Sequence, residues 1–371
     1  VDGDFPYDRV IPADRLLGCL VAGAVGDALG GPVEFLSIDE IRSRFGAEGT
    51  TGYADAYGGR GKITDDTQMT LFTLEAMIRG HVARRLLYFE QHPSSVLQHA
   101  YQRWYHTQGV PWHKAAGSYA MQAEPDGWLI GERDLFHRRA PGSTVLHALE
   151  GFAAGADRGT LSNKLNDSKG CGAVMRAAPC ALWSEDPLDG FVIAAQAGAL
   201  THGHPSGYLS AGALAFMVHR LLDGAELVEA IADVRAELIT WEESTETVAA
   251  LDGAVRLAEQ GRPTPEQLAG LGGGWVGEEA LAIAVCAALV AEDLEDGLLL
   301  AVNHSGDSDS TGSLCGNLLG AVHGIGAIPA DWLAELELRD VIERLAQDAL
   351  IEFSQQNSLE NPDWQVRYPA W

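Results

Sequence analysis

The sequence predicts an all-α fold in which many helices pack as one domain, and three observations carry that expectation. Apolar residues recur at helical spacing in segment after segment. Strand-like alternation is almost absent, and no internal repeat, low-complexity tract or long linker divides the chain. The residues able to do chemistry sit in polar or Gly/Pro-rich loops between the helical segments. The 371 residues, 46% hydrophobic and 21% charged, are an ordinary globular composition with enough apolar material for a sizeable core. A single domain over residues 1–371 is expected.

Taken in order, residues 1–12, with Pro6 and Pro12, read as an irregular lead-in. Asp14 is a fair N-cap for a helix through Leu16, Leu17, Leu20, Val21 and Val25. Gly18, Gly23 and Gly26 lower its intrinsic helix propensity, so they make sense where a neighbouring backbone comes close. Gly30-Gly31-Pro32 ends it, and Glu34 follows. The loop Gly58-Gly59-Arg60-Gly61 delivers Thr64, Asp65 and Asp66 to a second helix, whose buried face is marked by Leu71, Leu74 and Ile78. Further helical patterns cover 95–106, 144–154, 188–200, 210–222, 227–260 with room for a break, 278–291 and 314–323. Loops over 107–111, 157–172, 201–207 and 272–274 separate them.

Acidic residues outnumber Lys and Arg 52 to 25, and the net charge of −27 argues against general nucleic-acid or anionic-membrane binding. An anionic ligand would need local help from metal ions, helix N-termini or a few cations. The five cysteines are scattered, with no CxxC pair, which suits reduced thiols and a cytoplasmic location. The apolar run 16–26 is too short to span a bilayer and is closed by Asp27.

Two acidic stretches stand out: Thr64-Asp65-Asp66-Thr67 and Asp307-Ser308-Asp309-Ser310-Thr311, whose first aspartates lie 242 residues apart (307 minus 65). Each can be an N-cap with acidic residues favoured by the helix dipole, Ser310 or Thr311 capping the second. Together they can also be two halves of one oxygen-ligand cage, because converging carboxylates need divalent cations to offset their repulsion. All-oxygen ligands point to Mg²⁺ or Mn²⁺ rather than zinc. Ser168-Lys169-Gly170-Cys171-Gly172 precedes Ala173-Val174-Met175-Arg176; its glycines allow a ligand close to the backbone, although it lacks Walker A spacing and by itself reads first as a plain turn. His202 and His204 flank Gly203 in a loop, where packed histidines and a zinc pair are both open. Tyr101, Trp104, Tyr105 and Trp112 can form an aromatic lid or belong to the core.

Taken as an ordered set, these stretches resemble the ADP-ribosylglycohydrolase family, over about residues 14–323. The resemblance rests on Gly18 to Gly30 with Glu34, on Thr64 to Thr67, on Ser168 to Arg176, on Leu200 to Pro205 and on Gly306 to Ser310, with Gly274-Trp275-Val276-Gly277-Glu278-Glu279-Ala280-Leu281 also typical. It implies an all-α fold with a binuclear Mg²⁺ (or Mn²⁺) cleft, the ions held by Thr64, Asp65, Asp66, Asp307, Asp309 and Ser310. It implies that Ser168, Lys169, Gly170, Cys171 and Gly172 hold the diphosphate with Arg176 behind them, and that His202 lies beside the ligand. Where this chain has Cys171, the family often has Asn; where it has Ser310, often Thr. The implied reaction is hydrolysis of the bond between ADP-ribose and an acceptor, with Glu34 as general acid or proton shuttle and Asp65 or Asp309 as base. The implied partner is ADP-ribose or an ADP-ribosylated substrate, a protein by preference. The alternatives are a non-catalytic ADP-ribose or nucleotide binder, a crystallin-like protein of the same fold, another metallohydrolase, and a helical scaffold whose acidic clusters are only caps.

Overall fold

The structure, a computed structural model, describes residues 9–87, 93–354, 358 and 361–371. The expected lead-in lies outside the described residues as far as residue 8; from Arg9 the chain is anchored, that guanidinium donating to Asp223 (2.8 Å) and to the Ala181 carbonyl (2.8 Å). In order the helices are α1 (Ala13–Gly30), α2 (Ile38–Phe45), α3 (Asp65–Leu87), α4 (Pro93–Thr107), α5 (Trp112–Ala115), α6 (Ser143–Ala153), α7 (Pro187–Ala199) and α8 (Pro205–Leu222). They continue with α9 (Leu227–Leu238), α10 (Thr245–Ala258), α11 (Pro265–Leu268), α12 (Gly277–Val290), α13 (Leu294–Val302), α14 (Ser308–His323), α15 (Ala330–Glu335), α16 (Arg339–Glu352) and α17 (Trp364–Arg367). Among the described residues the extended pairing amounts to two isolated bridges, Ala56 with Gly59 and Gly170 with Val276.

The long segment over 227–260 is two helices, broken at a turn where Glu243 takes φ +57°. Two starts fall earlier than expected. α8 begins at Pro205 rather than 210, because His204 Nδ1 accepts the Ser206 N–H (3.1 Å) and proline suits the first turn. α14 begins at Ser308 rather than 314, and its N-cap is Asp307, not Ser310 or Thr311. α2 and α13 have no period in the sequence for physical reasons: α2 buries only Ile41, and α13 is apolar nearly all round. α16 is also outside the expected set, although its buried Ile342, Leu345, Ala346 and Ala349 have helical spacing.

The core is centred on α1 and α14, which touch backbone to backbone. A Cβ built at Gly26 would lie 2.0 Å from the Gly312 carbonyl oxygen, and one at Gly316 would lie 2.0 Å from that of Ala22. Only glycine fits this approach, which accounts for the small residues in α1. At the end of α1 a Cβ on Gly30 would meet the Ser308 carbonyl at 2.2 Å. The C-terminus of α1 therefore rests on the first turn of α14 and carries residues 31–34 to the Asp307 cluster.

Candidate metal centre and substrate cleft

Asp27, fully buried in α1, joins the second acidic stretch to the first. Its carboxylate accepts the Thr64 N–H at 3.0 Å, the Thr67 N–H at 3.1 Å and the Thr67 hydroxyl at 2.5 Å. One helix thus fixes the entrance of α3 through Asp27 and that of α14 through Gly26 and Gly30. Two further contacts brace these entrances. Glu337 accepts the Ile63 N–H (3.2 Å) while Arg139 holds both Glu337 and the Ile63 carbonyl. The N–H of Ile38, just after Glu34, donates to Ser305 Oγ (2.8 Å) in the loop before Asp307.

The two halves of the cage meet. Asp65, Asp66, Asp307, Asp309, Ser310 and Glu34 line one cavity of about 490 Å³, and Glu34, Asp307 and Asp309 each offer an oxygen within 4.8 Å of the others. Both clusters also stand at helix entrances, so the cap expectation and the cage expectation describe the same side chains: Asp307 caps α14 through the Ser310 N–H (3.4 Å). The facing wall is Gly170, Cys171, Gly172, Met175 and His202, and a third side is formed by residues 140–145, including the first turn of α6. Across the mouth, Phe35 and Trp275 stack with centroids 5.8 Å apart and planes at 21°. They are 67% and 45% exposed, unusual for large aromatics and consistent with a contact surface for ligand.

Among the described residues no Lys or Arg lines this cavity. Burial, followed by the neighbouring Asp309, pushes the Asp65, Asp66 and Asp307 carboxyls well above the ordinary range. Burial, then Asp309, Asp307 and Asp65, pushes Glu34 up to about 11, and burial followed by Asp309 pushes Asp27 to about 7. Asp66 Oδ1 and Glu34 Oε2 are buried with no hydrogen-bond partner. Uncompensated oxygens of this kind fit divalent cations, which would neutralise the carboxylates and occupy the orphaned lone pairs.

Four of the sequence-predicted residues do not line the cavity. Thr64 is buried beneath it, its hydroxyl 3.4 Å from the Asp66 N–H. Ser168 Oγ pairs with Thr144 Oγ1 (3.0 Å) and accepts the Gly170 N–H (3.3 Å). Lys169 places its ammonium on Glu246 (2.8 Å) and Glu278 (2.5 Å), tying the loop to α10 and α12. Arg176 is fully buried, its guanidinium 4.2 Å from the Tyr101 ring centroid and bonded to Thr201 Oγ1 (2.7 Å) and the Ala197 carbonyl (3.2 Å). Thr201 Oγ1 in turn meets His202 Nδ1 (2.8 Å), so Arg176 supports the histidine from behind. Burial, then Arg176, lowers His202 to about 3 and keeps it neutral. His204 is a helix cap, which removes the zinc-pair reading. The glycines of the loop serve packing: a Cβ at Gly170 or Gly172 would lie 3.2 or 3.1 Å from the His202 ring. Tyr101 and Trp104 are core, Trp104 Nε1 donating to Gln68 (3.1 Å).

Sequence reasoning left out Asp27 as a positioning group, Phe35 and Trp275 as the mouth, and Ser143, Thr144 and Val145 as a wall. For Asp27 a signal existed, an aspartate inside an otherwise apolar, small-residue helix. The wall and the mouth are tertiary neighbours with no local mark.

An all-helical fold whose distant acidic segments converge beside a Gly-rich loop, with no Lys or Arg among the described residues that line the cavity, defines the class: an all-α protein with a buried acidic cleft whose oxygens are a candidate cation site. The chain belongs to the ADP-ribosylglycohydrolase family, whose model matches residues 8–359. It is 28% identical over 344 residues to the ADP-ribosyl-[dinitrogen reductase] glycohydrolase of Rhodospirillum rubrum, covering 91% of this chain and 96% of that one. It is 23% identical to the ADP-ribosylarginine hydrolase Tri1 of Pseudomonas putida (strain GB-1), over 94% of this chain and 81% of that one. A solved structure titled ADP-ribosylglycohydrolase-related protein complex superposes with a TM-score of 0.64 at 28% identity, over 92% of this chain and 99% of the other. Hydrolytic release of ADP-ribose is the activity that the family description names.

Proposed function

We propose that this protein, acting as one domain, hydrolyses the bond between C1″ of ADP-ribose and an acceptor side chain, with two divalent cations in the cleft, Mg²⁺ by preference and Mn²⁺ accepted. The observation that carries this reading is the meeting of Asp65, Asp66, Asp307, Asp309 and Glu34 from opposite ends of the chain in one cavity that, among the described residues, has no Lys or Arg in its lining. Thr64, Asp65, Asp66, Asp307, Asp309 and Ser310 would hold the ions. When bound, the cations would neutralise these carboxylates, orient the ribose hydroxyls and acidify a water.

The chain's own residues do the rest. Glu34, buried beside Asp309 in the cavity lining, is placed to act as the general acid for the departing acceptor atom, and its burial favours the protonated form. Asp65 or Asp309 takes the proton of the attacking water. The Gly170–Gly172 loop, with the first turn of α6 beside it, receives the diphosphate; Lys169 fixes this loop from outside rather than touching the ligand. Neutral His202 orients the ligand as a hydrogen-bonding group.

The Pseudomonas putida relative's name makes an arginine-linked ADP-ribosyl protein the first substrate to test. The cysteines, all unpaired, suit a reducing cytoplasm. No described helix is long and apolar enough to cross a membrane.

The test is a panel of differently linked ADP-ribosyl substrates assayed for free ADP-ribose with Mg²⁺ and with chelator, on the natural chain and on Asp65→Asn and Asp307→Asn. Turnover with Mg²⁺ that disappears with chelator and in both variants is expected. Full turnover in chelator overturns the metal-dependent reading, and tight ADP-ribose binding with no turnover on any substrate makes the protein a binder.

A further inference from the structure

Cys171 occupies a place in the cleft that its chemistry does not explain if the cations meet only oxygen. Its Sγ lies 2.8 Å from Asp307 Oδ2 and faces Ser310 as well, so it touches two of the six proposed ligands. The other four cysteines are at most 1% exposed and belong to the core. Cys171 is half-buried and lines the cavity. Its backbone is fixed from both sides: its N–H donates to the Trp275 carbonyl (3.1 Å), and the preceding Lys169 is anchored on Glu246 and Glu278. The sulfur is therefore held at the cation site. The same cavity contains the buried, unpartnered oxygens of Asp66 and Glu34, which independently mark it as a place for a ligand of positive charge.

We propose that Cys171 sets the cation preference of this centre, its sulfur adding a soft donor beside Asp307 and Ser310 so that one of the two positions takes a thiophilic divalent cation more tightly than Mg²⁺. The proposal rests on the metal-site reading above and extends it. Carboxylates and hydroxyls are hard donors and suit Mg²⁺ or Mn²⁺, whereas a sulfur ligand favours softer ions. On binding, the Sγ–H bond is replaced by an Sγ–metal bond and the proton passes to solvent. A Mg²⁺ ion gains little from sulfur, so the all-oxygen ligands would still hold it.

The test uses the full chain, free of thiol reductant, titrated with Cd²⁺ and separately with Mg²⁺. Sulfur-to-metal charge-transfer absorbance in the ultraviolet reports the bond itself, and calorimetry reports each affinity. The natural chain is expected to develop the band and saturate it at one equivalent of Cd²⁺. Cys171→Ser, which keeps size and polarity, should lose the band and bind Cd²⁺ at least about tenfold more weakly, while its Mg²⁺ affinity changes by less than about threefold. Cys171→Ala is the second variant, and melting curves confirm that each is folded. A band that persists in both variants, or no difference in Cd²⁺ affinity, overturns the assignment. If the natural chain binds neither ion, the metal-site reading itself fails; Mg²⁺ binding without a Cd²⁺ band defeats the Cys171 proposal alone.

Discussion

Replacing Glu34 by glutamine should make the cation-free protein more stable, and only above a certain pH. Glu34 is 5% exposed, and burial together with Asp309, Asp307 and Asp65 raises its carboxyl from 4.5 to about 11. A group whose pKa is raised on folding gives full stability below its unfolded value and loses it as pH rises toward the folded value. Each pH unit above about 4.5 therefore costs about 1.4 kcal/mol, or about 3 kcal/mol by pH 7. Glutamine is nearly isosteric and does not titrate, so Glu34→Gln removes the cost. In chelator at pH 7 the variant should be more stable by up to about 3 kcal/mol, a rise in melting temperature of about 4 °C for a chain of this length. At pH 4.5 the difference should vanish. Thermal and urea unfolding at pH 4.5, 6 and 7.5 measure it. A variant less stable than the natural protein at pH 7, or a difference that does not change with pH, would refute the account of these carboxylates as mutually repelling in the absence of cations. With Mg²⁺ present the same variant should lose turnover, separating the catalytic role from the electrostatic one.

Three further expectations follow from the braces around the site. Asp27→Ala leaves the Thr64 and Thr67 N–H groups without their acceptor, which should cost about 2–5 kcal/mol in urea unfolding and weaken Mg²⁺ binding about tenfold or more; unchanged Mg²⁺ affinity by calorimetry would show that α1 does not position α3. Lys169→Met frees the Gly170–Gly172 loop and should raise KM for ADP-ribosyl substrates about tenfold with kcat within about threefold; a fall in kcat at constant KM would contradict the anchoring role. His202, lowered to about 3, binds its proton only in the unfolded chain between about pH 3 and 6.5, so the natural protein should lose stability relative to His202→Asn as pH falls through that window. The gap should reach about 2 kcal/mol at pH 5, read from urea midpoints at pH 7, 6 and 5.

The helices that carry a buried stripe were legible because a 3.6-residue apolar repeat is local information; Leu71, Leu74 and Ile78 on α3 show it. So were the acidic residues of the site, since adjacent aspartates at a helix entrance stand out in any sequence, and so was the need for close backbone contact at Gly18 and Gly26, whereas at Gly23 the near neighbour is the Asn317 side chain. Helix α2, held by the Ser37–Glu40 capping box with one buried residue, and α13, apolar nearly all round beyond its acidic first turn, left no comparable period. Lys169 shows the limit within the site: its charge beside two glycines reads as a phosphate contact, but Glu246 and Glu278, far along the chain, capture the ammonium. Arg176 is similar, since only packing against Tyr101 and Thr201 turns it away from the cleft.

By itself the sequence determined the helical class, the acidic clusters and the set of side chains available to bind cations, because residue type and short-range spacing are written along the chain. Tertiary structure alone decided which of them share a cavity, that Asp27 ties one cluster to the other, that Phe35 and Trp275 form its mouth, and that a cysteine sulfur lies beside Asp307. Those outcomes depend on how closely α1 and α14 approach, a distance set by facing glycine backbones separated by almost three hundred residues, which no local pattern encodes.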